Sequence, residues 1–164
     1  MEDQVAARRS VTPGPVLASA VKYRLRTVTF RVSEPGELTA TPEAAERVLR
    51  AIFADLDGDR EHMVVLALNA RNRIVGFKEV ASGTETTCSI SPTSIFRTAL
   101  ALGGVAIILA HNHPSGDPDP SPDDRATTQR CVEAGKNLGI DVRDHIVLGA
   151  SSSWLSFRRR GWIY

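Results

Sequence analysis

The chain has 164 residues, with 20 Lys and Arg against 19 Asp and Glu and a formal charge of +1, a length that suits one domain with a sizeable core. So even a balance does not fit a dedicated nucleic-acid binder, which is expected to be clearly basic; Arg158-Arg159-Arg160 is a local exception, read as a solvated edge. Two cysteines, Cys88 and Cys131, exclude a disulfide framework and a paired-cysteine metal motif.

In chain order, residues 1–20, with Arg8-Arg9-Ser10 and Pro13-Gly14-Pro15, read as a flexible N-terminal extension, and residues 21–164 as the folded domain. Met1-Glu2-Asp3 does not open a secretory signal, and the longest apolar run, Ala99–Ala110, is too short to span a bilayer; a cytoplasmic protein is expected. Tyr23–Val32 alternates and is β-rich, predicting a strand. Thr41-Pro42-Glu43 opens a helix to about Ala54. Strands are predicted at His62–Asn69 and Ile74–Ser82 around the turn 70–73, and Ser91-Pro92 caps a helix through Leu102. The nearly continuous apolar run Gly104–Ala110 predicts a strand buried on both faces. A helix from Ser121 to about Leu138 and strands at Val142–Leu148 and Trp154–Phe157 complete the pattern. Such alternation implies an α/β layered domain with a mixed central sheet.

The chemistry concentrates after the buried strand, in Ala110-His111-Asn112-His113-Pro114-Ser115-Gly116-Asp117, followed by Pro-rich loop, Ser121-Pro122 and Asp123-Asp124. If extended backbone continues through His113, the side chains of His111 and His113 point to one side and reach one ion. Ser121 serves as N-cap with proline at the first helical position, which puts Asp124 in the first helical turn, facing back to the strand end. Two histidines and a carboxylate supply three metal ligands and leave a coordination position for water, the pattern of a catalytic zinc site. A metal-activated water points to hydrolysis. Asp124 is preferred on spacing to Asp123, with Asp117 and Asp119 behind. Ser121 and Asp124 also fit a plain capping box, which needs no metal. Asn112 points away from the ligands and reads as structural, Ser115 and Asp117 as supports that orient the ligands. Asp144-His145 has two readings: an approach to the site from a neighbouring strand, or a packed, hydrogen-bonded histidine.

The same residues carry a family resemblance. His-Asn-His-Pro-Ser-Gly-Asp-Pro followed by Pro-Ser and Asp124 resembles the RadC-like branch of the JAB/MPN (JAMM) metalloprotease superfamily. Asp144-His145-Ile146-Val147-Leu148-Gly149, Ser156-Phe157, Gly161-Trp162-Ile163 and Asp59-Arg60-Glu61 extend the likeness over roughly residues 40–164. The resemblance implies a deaminase-like three-layer α/β/α sandwich. It also implies Zn2+ on His111, His113 and Asp124, Glu61 as general base, and Ser121 as donor to the oxyanion. Glu79 and Glu85 rival Glu61 on chemistry alone. The implied activity is zinc-dependent hydrolysis of a peptide or isopeptide bond in a peptide or protein substrate. Two other classes stay open: a DNA-repair-associated nucleic-acid protein, as RadC naming suggests, and a non-haem iron oxygenase, since two histidines and a carboxylate also make that facial triad. Full-length RadC proteins carry a helical N-terminal region that nothing here matches. Near-neutral overall charge offers few phosphate contacts, so any nucleic-acid binding is expected to be weak and strongly salt-dependent, through Arg158, Arg159 and Arg160.

Overall fold

A computed structural model of the chain describes residues 38–83 and 90–163. The expected N-terminal extension and the Tyr23–Val32 strand lie outside the described residues, as do Glu85 and Cys88.

Thr41 accepts from the amide of Ala44 and, with Pro42 at the first helical position, starts α1 (Pro42–Ala54). Strands β1 (Glu61–Leu68) and β2 (Ile74–Gly83) pair antiparallel. Their turn places Asn72 at φ 56°, a left-handed conformation that asparagine tolerates. Ser91-Pro92 caps α2 (Pro92–Leu102), and Gly103 ends it at φ 69°. Then come β3 (Ala106–Asn112), α3 (Pro122–Leu138), β4 (Asp141–Leu148) and the short β5 (Trp154–Ser156). The observed ends lie within two residues of those predicted, with β3 running through the first histidine as far as Asn112.

The sheet order is β2-β1-β3-β4-β5, mixed because only β3 and β4 run parallel. The crossover between those two parallel strands contains α3. Alternation along the strands divides the core. On one face Val64, Leu66, Ile108 and Ile146 pack with Ala45 and Leu49 of α1. On the other, Val65, Ile107, Leu109 and Val147 pack with Ile95, Phe96 and Ala99 of α2 and Cys131 of α3. The result is the three-layer α/β/α sandwich. Central β1 and β3 have both faces covered, which explains why their sequences are continuous apolar runs rather than alternating ones.

Candidate metal centre

Sheet register builds the site at one end of β3. Met63 of β1 lies opposite His111. Two residues beyond that last pair, alternation brings Glu61 and His113 to the face of Met63 and His111. The ladder continues one step past β3, where the His113 amide donates to the Leu148 carbonyl at 2.9 Å. His111 and His113 therefore do project to the same side. Their Nε2 atoms are 3.0 Å apart, and a carboxylate oxygen of Glu61 lies within 4.8 Å of a ring nitrogen of each.

The third component comes from α3, which packs on that face. Ser121 and Asp124 form a full capping box: Ser121 Oγ accepts from the Asp124 amide at 3.1 Å, and Asp124 Oδ2 accepts from the Ser121 amide at 2.8 Å. This geometry turns the Asp124 side chain back toward the sheet. Its Oδ1 lies 3.5 Å from His111 Nε2 and its Oδ2 3.8 Å from His113 Nε2. The plain capping reading and the metal reading thus describe one arrangement, with Oδ2 serving the cap and Oδ1 left for the site. The Ser121 hydroxyl donates to Asp124 Oδ2 at 2.6 Å, so its proton is held by the carboxylate.

Electrostatics bind the three together. Burial pushes the Asp124 carboxyl up, but the imidazoles of His111 and His113 beside it and the hydrogen bond from Ser121 outweigh it and hold the group well below the usual carboxylate range. His113 is raised, chiefly by the Asp124 carboxylate beside it and against the effect of burial, with Glu61 adding to the upward push.

Each imidazole is also held from behind. His113 Nδ1 contacts the Asp117 carbonyl at 2.7 Å. The main chain of Asp117 does this, while its carboxylate accepts from the Asp119 amide and Ser115 Oγ accepts from the Asp117 amide. The two residues read from sequence as supports act by shaping a loop, with Gly116 at φ 85° making its turn. His111 Nδ1 contacts His145 Nε2 at 2.7 Å. His145 Nδ1 contacts Thr128 Oγ1 at 2.5 Å, and that hydroxyl donates to the Asp124 carbonyl at 2.6 Å. His145 thus both approaches the site and is packed and hydrogen-bonded. It is fully buried, stacked on Phe157 with ring centroids 4.8 Å apart, and burial keeps it well below the ordinary histidine range. Its neighbour Asp144 faces away, bonded to the amides of His145 and Arg158 and to Ser156 Oγ, and is raised by burial.

Asn112 contributes something the sequence did not reveal. Its Oδ1 accepts from the His62 amide and its Nδ2 donates to the Arg60 carbonyl, both at 2.8 Å. The side chain clamps the two peptides that flank Glu61. Of the rival acids, Glu79 is bonded to His62 Nδ1 at 2.8 Å, and its register partner Val64 belongs to the α1 face. Cys131 is buried, its thiol pushed up to about 11. Arg159 is paired with Glu43 at 3.2 Å and lies over the Trp154 ring.

A family model for the RadC-like JAB domain matches residues 39–162. The chain belongs to that family. It is 37% identical over 151 residues to a UPF0758 protein of Desulforamulus reducens, covering 92% of this chain and 66% of that one. A UPF0758 protein of Vibrio cholerae is 41% identical over 128 residues, 78% of each chain. One from Symbiobacterium thermophilum is 42% identical over 120 residues, 73% of this chain and 50% of the relative. The chain thus spans between half and two thirds of the length of the Desulforamulus reducens and Symbiobacterium thermophilum relatives. Among the described residues no helix is long and apolar enough to cross a membrane.

The donor types fit a zinc ion. Bonds of about 2.0–2.1 Å in tetrahedral geometry separate ligand atoms by about 3.3–3.4 Å; the two imidazole nitrogens lie 3.0 Å apart, with Asp124 Oδ1 3.5 Å from one and Oδ2 3.8 Å from the other. Glu61 stands beside the same two imidazoles, as a fourth group of a type that holds a metal or takes a proton.

Proposed function

We propose that this chain is a zinc-dependent hydrolase domain that cleaves a peptide or isopeptide bond, with His111, His113 and Asp124 holding the metal and Glu61 as general base. One observation carries the reading: two imidazole nitrogens 3.0 Å apart are each approached by an oxygen of the Asp124 carboxylate, at 3.5 and 3.8 Å, with a further carboxylate alongside. A structural zinc site would be closed by four protein ligands, whereas three ligands and an adjacent base suit a catalytic one.

Zinc bound there would polarise a carbonyl oxygen and bring the pKa of water toward about 7. The residues supply the rest. The Glu61 carboxylate takes a proton from the attacking water and returns it to the leaving amine nitrogen. Because Asn112 grips the chain on both sides of Glu61, the carboxylate starts from a fixed backbone. Ser121 Oγ turns its proton from Asp124 Oδ2 to the developing oxyanion, while its lone pair continues to cap α3.

The test is hydrolysis of a panel of fluorogenic peptides and isopeptide-linked conjugates by the zinc-loaded protein. Cleavage should disappear with a chelator, return with zinc, and be absent in Glu61→Gln. Cleavage indifferent to the chelator, or undiminished in Glu61→Gln, would overturn the proposal.

A further inference from the structure

His145 and Thr128 connect His111 to α3 through an unbroken chain of hydrogen bonds behind the site. The direction of each proton in that chain can be worked out from its ends. The Asp124 carbonyl can only accept, so it takes the single proton of the Thr128 hydroxyl. That leaves Thr128 Oγ1 as an acceptor for His145, which must carry its proton on Nδ1. A fully buried imidazole with a hydroxyl and another imidazole as its side-chain partners stays neutral and has only that one proton. His145 Nε2 is then bare and accepts from His111 Nδ1. His111, in turn, presents an unprotonated Nε2 to the site. On the other side the Asp117 carbonyl, likewise an obligate acceptor, fixes the proton of His113 on Nδ1. In the neutral rings two lone pairs are thereby aimed at one point, 3.0 Å apart, an arrangement that a shared proton or a metal cation between them satisfies.

We propose that His145 and Thr128 are positioning residues that set the tautomer of His111, keeping its Nε2 lone pair free to bind metal. The role rests on the metal reading above for its purpose, though not for its geometry. It also explains why a polar pair sits inside an otherwise apolar layer: Thr128 is 2% exposed and His145 not at all, and an apolar pair there would leave His111 free to take the other tautomer. The relay starts from the main chain of Asp124, the residue whose carboxylate faces the same site, so the first turns of α3 govern one ligand directly and another through three hydrogen bonds. Phe157, stacked on His145 with ring planes 22° apart, holds the intermediate ring in plane.

Nitrogen NMR of the histidine rings tests this in the metal-free protein at alkaline pH, where the imidazoles are neutral. In the wild type, His111 and His145 should both appear with the proton on Nδ1. Thr128→Val keeps the shape and removes the acceptor. His145 should then move its proton to Nε2 and donate to His111 Nδ1, shifting the His111 proton to Nε2. Zinc affinity of this variant, measured by competition with a chromogenic chelator, should fall about 10–100-fold, and Thr128→Ser should restore both tautomer and affinity. A wild-type His111 protonated on Nε2 would overturn the proposal, and so would a folded Thr128→Val with wild-type tautomers and zinc affinity. If Thr128→Val fails to fold, the wild-type spectrum alone decides. Wild-type protein with the expected tautomers but no zinc binding would uphold the relay and refute the metal reading instead.

Discussion

Replacing Asn112 by alanine separates the positioning of Glu61 from the holding of metal. The side chain makes two hydrogen bonds of 2.8 Å, one from the amide of His62 and one to the carbonyl of Arg60. His62 is 5% exposed, so its amide has little access to water once the partner is gone; an orphaned buried donor costs about 1–3 kcal/mol. The Arg60 carbonyl lies in an exposed turn, where water replaces the lost bond at little cost. About 2 kcal/mol is the expected loss, or a fall in melting temperature of about 6–10 °C for a domain of this size. If the strand end opens locally, amide exchange at His62 should accelerate by about thirtyfold. Neither bond touches an imidazole or Asp124, so zinc affinity should stay within about threefold of wild type while hydrolysis falls, because a displaced base can cost about a hundredfold in rate. Hydrogen exchange, melting and zinc competition on one preparation provide the test. Unchanged exchange at His62 with unchanged melting would refute the clamp. Loss of zinc as severe as in His113→Ala would show that Asn112 supports the ligands rather than the base.

His113→Ala and Asp124→Ala should each weaken zinc binding by more than about a hundredfold in chelator competition, beyond what loss of a supporting partner costs. Glu61→Gln should keep its zinc by elemental analysis and lose about 10²–10⁴-fold in turnover. Ser121→Ala should cost about 1 kcal/mol through the cap and lower turnover by about a hundredfold with zinc still bound; a lowered melting temperature beside unchanged hydrolysis would leave Ser121 a helix cap alone. Zinc binding should strengthen as pH rises, by up to about tenfold per unit while His113 must lose a proton to bind, because its pKa is raised in the folded protein, chiefly by Asp124. For the same reason the metal-free protein has the full His113 contribution to stability below about pH 6.5 and loses it as pH climbs through the raised folded value; zinc affinity that falls over that window would contradict the assignment.

Much of this was legible because the deciding signals are local. The Ser-Pro and Thr-Pro starts, the apolar runs and the His-x-His at a strand end each depend on neighbours a few residues away, and the helices begin at the caps read from sequence. The dual use of Asp124 was also foreseeable, since the capping-box spacing that explains it without a metal is what turns its side chain toward the sheet. What escaped depends on register. His145 reaches His111 because parallel pairing sets it beside Leu109, and no periodicity in either strand specifies that alignment. Thr128, four residues after Asp124, carried the one available hint: a hydroxyl one helical turn behind a site acid, on the face that packs against the sheet. Asn112 was read as pointing away from the ligands; that it then grips both sides of Glu61 follows from the β1–β3 pairing. The support given to His113 by a main-chain carbonyl leaves no mark in side-chain identity at all.

The central claim is that His111, His113 and Asp124 hold one zinc ion, and anomalous diffraction at the zinc absorption edge from zinc-soaked crystals tests it most directly. A single strong peak bonded to His111 Nε2, His113 Nε2 and an Asp124 oxygen, with Glu61 close by but unbonded, is the expected result. No peak between the two imidazoles, or a peak bonded to Glu61 with Asp124 left in its capping box alone, would contradict it.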